Sequence, residues 1–316
     1  MSSEKDKLLQ HAHTLARNLE KRRKSKIFLF IENRQDHICI PQRNTIFAKK
    51  NELRNVDKLE VLLFSGGGHA EYAFQLAKLF RRHAKKLNVI VPFEAKSAAT
   101  LMCLAADTIF MGERAELGPL DVQISDPFEK GLESFSPIDE FKSMEFLREY
   151  AVEMMDYYAI ALVERAGMSV KDAYHDAMAA VANTMAPMYA KVDPSKIGSY
   201  RRSLAVAEEY AKRLLESRKV VNAEKIAERL VWKYPSHDFI IDRREALEIG
   251  LSVVYLDPKQ DDVFAEIVRS VIRSGESLYA FAKADEKRRK TTTTTKRRVG
   301  SKKSATSGSP TKLQAA

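Results

Sequence analysis

The chain has 316 residues, 45% of them hydrophobic, with 53 Lys and Arg against 43 Asp and Glu and a net charge of +10, which suffices for one large domain or two small ones around a buried core. The opening "MSSEKDKLLQ" lacks the apolar centre of a signal peptide, and no apolar run approaches the roughly 18–20 residues that span a bilayer. Cys39 and Cys103 lie in apolar runs and form neither a disulfide framework nor a metal-ligand spacing, so a cytoplasmic protein without metal or organic cofactor is expected, with contact at a membrane surface left open.

In chain order, residues 3–24 have helical periodicity, and the segment 1–25 reads as an N-terminal helix. "KIFLFIE" (26–32) reads as a strand by its β-branched and aromatic content. Residues 44–54 are weakly helical. "LEVLLFS" (59–65) is a buried strand, three glycines follow at 66–68, and 70–86 is an amphipathic helix. A strand over 87–95, a short helix of small residues over 97–106 and a strand over 108–112 come next. "ELGPLD" (116–121) reads as a loop, because Pro119 interrupts any regular element. Residues 137–183, 201–218 and 222–232 are helical. Strands at 239–241 and 252–256 flank another helix, and 261–286 forms the last one. Residues 287–316 hold ten Lys or Arg and no acidic residue, which leaves 43 basic and 43 acidic residues in 1–286. The tail is low in complexity and like-charged, and disorder is expected there. The main domain is therefore placed at 26–286.

The strand–helix alternation from 59 to 112 implies a parallel sheet with right-handed crossovers. Sites in such sheets form at the carboxyl ends of strands, where both the loop at 66–68 and the turn at 95–98 lie. The glycines can turn tightly and present bare N–H groups, as an oxyanion hole, a phosphate cradle or a plain turn. There is no GxGxxG and no P-loop lysine to favour phosphate. Ser97 opens a helix, where serine serves either as a cap or as a nucleophile. His237, beside Asp238 in a polar turn, is a candidate base or a solvated loop histidine. Asp121 is a candidate orienting carboxylate or a turn aspartate. Lys96 would point away from Ser97 on an extended chain, and His69 and His175 are weaker candidates. The basic tail suits nucleic acid or an anionic surface, or merely solubility, and no aromatic residue lies among its charges to support base stacking.

Taken together, "LLFSGGGHAEYAFQLAKLF", "VIVPFEAKSAATLMCLAADTIFMGERAELGPLD" and "DRREALEIGLSV" resemble the Clp protease/crotonase superfamily. Within it the segments are similar to the serine dehydrogenase proteinase branch, related to signal peptide peptidase A. The resemblance covers roughly 26–256. It implies an α/β fold, a Clp/crotonase-type spiral of β-β-α units with a mostly parallel sheet and a helical C-terminal part. It also implies a serine peptidase with Ser97 as nucleophile, an oxyanion hole from the glycine pair Gly67 and Gly68 with Ala98, Gly67 being the expected donor of the pair, a peptide or protein substrate and a homo-oligomer. Three departures stand out. Asp121 occupies the neighbourhood where the Clp branch has its histidine, Ala99 replaces a common glycine, and Ser65-Gly66 stands where a proline is usual. The base expected here is His237, oriented by Asp121 or Asp238, with Lys142 as the substitute suggested by the signal peptidase branch. The alternatives are a degenerate scaffold of the same fold whose tail, 287–316, docks on nucleic acid or an anionic membrane, and crotonase-type acyl-CoA chemistry, in which Ser97 is only a cap.

Overall fold

The computed structural model describes residues 3–53, 56–120 and 137–283, without the side chains of 137–141. The chain runs α1 (Glu4–Arg23), β1 (Lys26–Ile31), α2 (Ile40–Ala48), β2 (Val56–Phe64), α3 (Ala70–His83), β3 (Ala84–Val91), β4 (Glu94–Ala95), α4 (Ala98–Cys103), β5 (Thr108–Met111) and β6 (Glu116–Leu117). Beyond residue 136 come α5 (Pro137–Ala166), α6 (Val170–Tyr189), α7 (Pro194–Ser217), α8 (Ala223–Trp232), α9 (Arg243–Ile249), β7 (Val253–Tyr255), α10 (Pro258–Arg273) and β8 (Leu278–Phe281).

Six strands form one sheet in the order β7-β5-β3-β2-β1-β8, parallel except for β8, and β4 and β6 make a separate parallel pair. A parallel sheet is covered on both faces, so its strands are apolar throughout rather than alternating. Residues 27–31 of β1 are fully buried and divide by the period of two. Phe28 and Phe30 join the larger core with residues of α3, α4, α7 and α8, whereas Ile27, Leu29 and Ile31 join the smaller one with α1 and α10. Glu60, on the middle strand, is buried but paired with Arg23 and Lys58. Burial alone would raise its pKa; the hydrogen bond and charge of Arg23, then Ser25 and Lys58, outweigh burial and hold it below the usual carboxylate range.

The mostly parallel sheet and helical C-terminal half agree with the expected architecture, while several element boundaries differ. The third helix stops at His83, because Val56 and Lys58 of β2 pair with Ala84 and Lys86 and draw those residues into the sheet. The strand expected over 87–95 divides at Pro92 and Phe93, and its last two residues pair with Glu116 and Leu117, so 116–117 is strand and not loop. Only Ile241 of 239–241 forms a bridge, to Leu117. The last helix ends at Arg273, Gly275 adopts a left-handed φ of 76°, and the chain returns as β8 to cover the free edge of β1.

Phe28 contacts Phe80 of α3 and Phe281 of β8, each at a ring-centroid distance of 5.2 Å. Phe28→Ala should lower the unfolding free energy by about 3–5 kcal/mol in a urea titration, while Phe146→Ala, on the exposed side of α5, should change it by less than about 0.5 kcal/mol. Equal effects would contradict this account of the core.

Candidate active site

At the end of β2 the turn of residues 65–68 carries two glycines that nothing else replaces. Gly67 has φ 107° and Gly68 φ 141°, regions that side chains avoid. A Cβ on Gly67 would lie 2.8 Å from the Lys96 carbonyl oxygen and 2.9 Å from Ser97 Cβ; one on Gly68 would lie 2.5 Å and 2.6 Å from the backbone oxygen and nitrogen of Ile38. The turn is thus wedged between the Ile38 backbone and Ser97. Ile38 N–H donates to the Gly67 carbonyl at 2.8 Å, and His69 N–H donates to the Ile38 carbonyl at 2.9 Å. With no cis peptide present, the Gly68 N–H points opposite the Gly67 carbonyl, away from Ile38. It makes no hydrogen bond among the described residues.

Ser97 approaches from the neighbouring strand end. Ser65 and Ala95 form a bridge in which Ser65 N–H donates to the Glu94 carbonyl at 3.3 Å and Lys96 N–H to the Ser65 carbonyl at 3.1 Å. Two residues further on, Ser97 stands at the N-cap of α4 with φ 47° and ψ −117°, 4% exposed, and its side chain makes no capping bond. An ordinary serine cap has an extended backbone and a hydroxyl bonded to the first turn; Ser97 has neither. A non-glycine residue held there costs about 1–3 kcal/mol. The Ala98 N–H makes no hydrogen bond among the described residues, while Ala99 N–H donates to the Lys96 carbonyl at 2.8 Å. Thr100, which sequence reasoning missed, clamps the turn from behind: its buried hydroxyl donates to the Ala95 carbonyl at 2.6 Å and accepts the Gly118 N–H at 3.0 Å. Gly118 in turn leaves room for Ser97, whose N lies 3.4 Å from where a Cβ would stand.

Of the two glycine N–H groups expected as donors, one is already engaged. Gly67 N–H is not bare: it donates to Ser65 Oγ at 3.0 Å. Among the described residues the unbonded pair on either side of the wedge is Gly68 N–H and Ala98 N–H. Ser65 Oγ itself donates to buried Glu32 Oε2 at 2.5 Å, a partner that sequence reasoning also missed.

The candidate bases fare differently. Lys142 sits on an exposed turn of α5 and pairs with Glu145 at 3.1 Å. Lys96 turns away as expected, to Glu116 at 3.1 Å. His175 is exposed beside Asp176, and His69, the N-cap of α3, lies against Tyr72. His237 is half-buried in the turn before Ile241, and Asp238 is exposed. Ile241 and Leu117 exchange two backbone hydrogen bonds, at 2.9 and 3.0 Å. That turn is thereby tied to β6, which pairs with the strand leading into Ser97. Asp121 and the basic tail lie outside the described residues. Among the described residues no cluster of His, Cys, Asp or Glu is placed to hold a metal ion, and no helix is long and apolar enough to cross a membrane.

A mostly parallel α/β sheet with a strained serine and a glycine turn at adjacent strand ends defines a Clp-type fold. Residues 2–133 match the family model of the ClpP-like SDH-type serine proteinases, so this stretch is similar to that family. Two uncharacterized proteins of Methanocaldococcus jannaschii are similar to it. MJ0137 is 36% identical over 121 residues, 35% of this chain and 42% of its own length. MJ1495 is 38% identical over 66 residues, 21% of this chain and 23% of its own. The chain thus spans less than half of either relative. Among solved structures, a serine-to-alanine mutant of the membrane-bound stomatin-specific protease 1510-N aligns with a TM-score of 0.41 and 16% identity, over 71% of this chain and 77% of that one.

The wedge makes opposite predictions for its two partners. Ser97→Gly should raise stability by about 1–2 kcal/mol by relieving the backbone, and Gly67→Ala should lower it by about 2 kcal/mol or more. Urea titrations check both, and a destabilising Ser97→Gly would show that the serine backbone is not strained.

Proposed function

We propose that the chain is a serine peptidase. Ser97 Oγ attacks the carbonyl of a peptide bond, and the N–H groups of Gly68 and Ala98 receive the developing oxyanion. His237 takes the serine proton and returns it to the leaving amine, with Asp121 or Asp238 orienting the ring. Water then releases the acyl-enzyme by the reverse sequence. The observation that carries this reading is the conformation of Ser97: buried, strained, without a capping bond, and flanked by two unbonded backbone N–H groups. Strain of this kind persists where the surroundings enforce it and clusters at reactive positions. A backbone donor aimed at a developing oxyanion contributes about 2.7–4 kcal/mol to a hydrolytic transition state. The link between Ile241 and Leu117 supports His237 as the base, because it anchors the histidine turn to the strand pair that carries Ser97. The mechanism calls on no metal ion or organic cofactor.

A fluorophosphonate probe, which phosphonylates activated serines, tests this reading in the full chain. Labelling should occur on Ser97 and vanish in Ser97→Ala. His237→Ala should slow peptide hydrolysis by about 10²–10⁴-fold, whereas Lys142→Ala should change it by less than about twofold. A folded wild-type chain that stays unlabelled, or labelling that survives in Ser97→Ala, would refute the assignment.

A further inference from the structure

Glu32 follows β1 directly and is 1% exposed; its N–H donates to the Phe64 carbonyl at 2.9 Å, which fixes it beside the end of β2. One carboxylate oxygen accepts the Ser65 hydroxyl at 2.5 Å and the other accepts the Tyr279 hydroxyl at 3.0 Å. Ser65 Oγ accepts the Gly67 N–H at 3.0 Å. The three groups form a one-way chain, from Gly67 N–H to Ser65 O–H to Glu32. Ser65 has a single proton, and giving it to Glu32 turns the lone pairs of the hydroxyl toward Gly67.

This carboxylate differs from the other buried one. Glu60 has Arg23 and Lys58 for company, whereas among the described residues no Lys, Arg or His pairs with Glu32. A buried acid without a cation is costly. An amide would not fill the same place, because the two hydroxyls bond different carboxylate oxygens and an amide puts an NH₂ donor at one of them.

We infer that Glu32 is a positioning residue for the oxyanion turn: through Ser65 Oγ it holds the Gly67 N–H off the Ser97 side, so that the next peptide presents Gly68 N–H to the site. The role of Gly68 rests on the peptidase reading above; the anchoring of Gly67 does not. Burial pushes the Glu32 carboxyl up to about 7, against the pull of the Ser65 and Tyr279 hydroxyls and with the added repulsion of Asp36. The other titratable group that senses it is Cys39, at the start of α2. Asp36 itself accepts the Ser277 hydroxyl at 2.5 Å. The sign follows from the chain of bonds. Above pH 7 the carboxylate accepts from Ser65 and the anchor is complete. Below it, protonated Glu32 donates to Ser65 Oγ, competes with the Gly67 N–H and leaves the serine proton without its acceptor. The anchor is thus present at high pH and lost as the pH falls through about 7.

The glycine turn offers a direct reading, because the only adjacent glycines in the sequence are at 66–68. In the full chain grown with glycine labelled with ¹³C at the carbonyl and ¹⁵N at the amide, a carbonyl-coupled amide spectrum shows Gly67 and Gly68 alone. The Gly67 amide should titrate with a midpoint near 7 in the wild type and stay flat in Glu32→Gln. In Tyr279→Phe, which removes a donor that favours the ionised form, the midpoint should rise. Fluorophosphonate labelling of Ser97 at pH 8 should be about tenfold slower in Glu32→Gln, the loss of one hydrogen bond, and should lack the limb near pH 7. A Gly67 amide that does not titrate near neutrality, or one that titrates alike in Glu32→Gln, overturns the inference. So does labelling with the same rate and pH dependence in wild type and Glu32→Gln. A Gly67 titration abolished by Glu32→Gln, with no labelling of Ser97 in any variant, keeps the anchor and refutes the peptidase reading instead.

Discussion

The turn that carries Ser97 has to be held against the serine's own backbone preference, and much of the architecture around it serves that constraint. At φ 47° and ψ −117° the residue lies where glycine would be at ease. The restraint comes from three directions. The bridge between Ser65 and Ala95 fixes the chain before the serine, buried α4 fixes the chain after it, and Thr100 ties the two together from behind. On the remaining side Gly67 leaves no room for a side chain, since a Cβ there would lie 2.9 Å from Ser97 Cβ. Because β2 and β3 are neighbours in the middle of the six-stranded sheet, each is hydrogen-bonded to strands on both sides. A strained residue placed there cannot relax without moving the core.

The same sheet treats its two buried carboxylates in different ways. Glu60 lies on the face covered by α1 and α10, where Arg23 at the end of α1 reaches it with its guanidinium over the Phe110 ring. That group is ionised throughout the neutral range and belongs to the framework. Glu32 lies at the carboxyl end of the sheet with only hydroxyl donors, one from the turn beside Ser97 and one from β8, the antiparallel strand at the sheet edge. The C-terminal strand of the described chain therefore reaches the glycine turn through two hydrogen bonds.

Long buried strands were legible in the sequence because continuous apolar runs bounded by glycine or charged residues leave few alternatives, and β1, β2 and β5 stand close to where the pattern places them. The two-residue strands β4 and β6 have no period to detect; they exist because pairing between distant segments satisfies their backbones. The end of the last helix carried a signal at Ser274-Gly275, a left-handed cap, that helical periodicity overrode. In the site, Ser97 and the glycines were legible as types at strand ends. Which glycine N–H is bare was not, because it depends on the rotamer of Ser65 and on Ile38, thirty residues upstream in sequence but adjacent in space. Glu32 reads as a polar residue ending a strand, and only the fold buries it.

The central claim is geometric: Ser97 is held so that the oxygen of a tetrahedral adduct falls between Gly68 and Ala98. The most direct measurement is a crystal structure of the full chain after reaction with a fluorophosphonate. The account predicts a phosphonyl group on Ser97 Oγ, its non-bridging oxygen within hydrogen-bond distance of the Gly68 and Ala98 N–H groups, and the Gly67 N–H still on Ser65 Oγ. An adduct oxygen that points to solvent, or a Gly67 N–H that leaves Ser65 to take the oxygen, would contradict it.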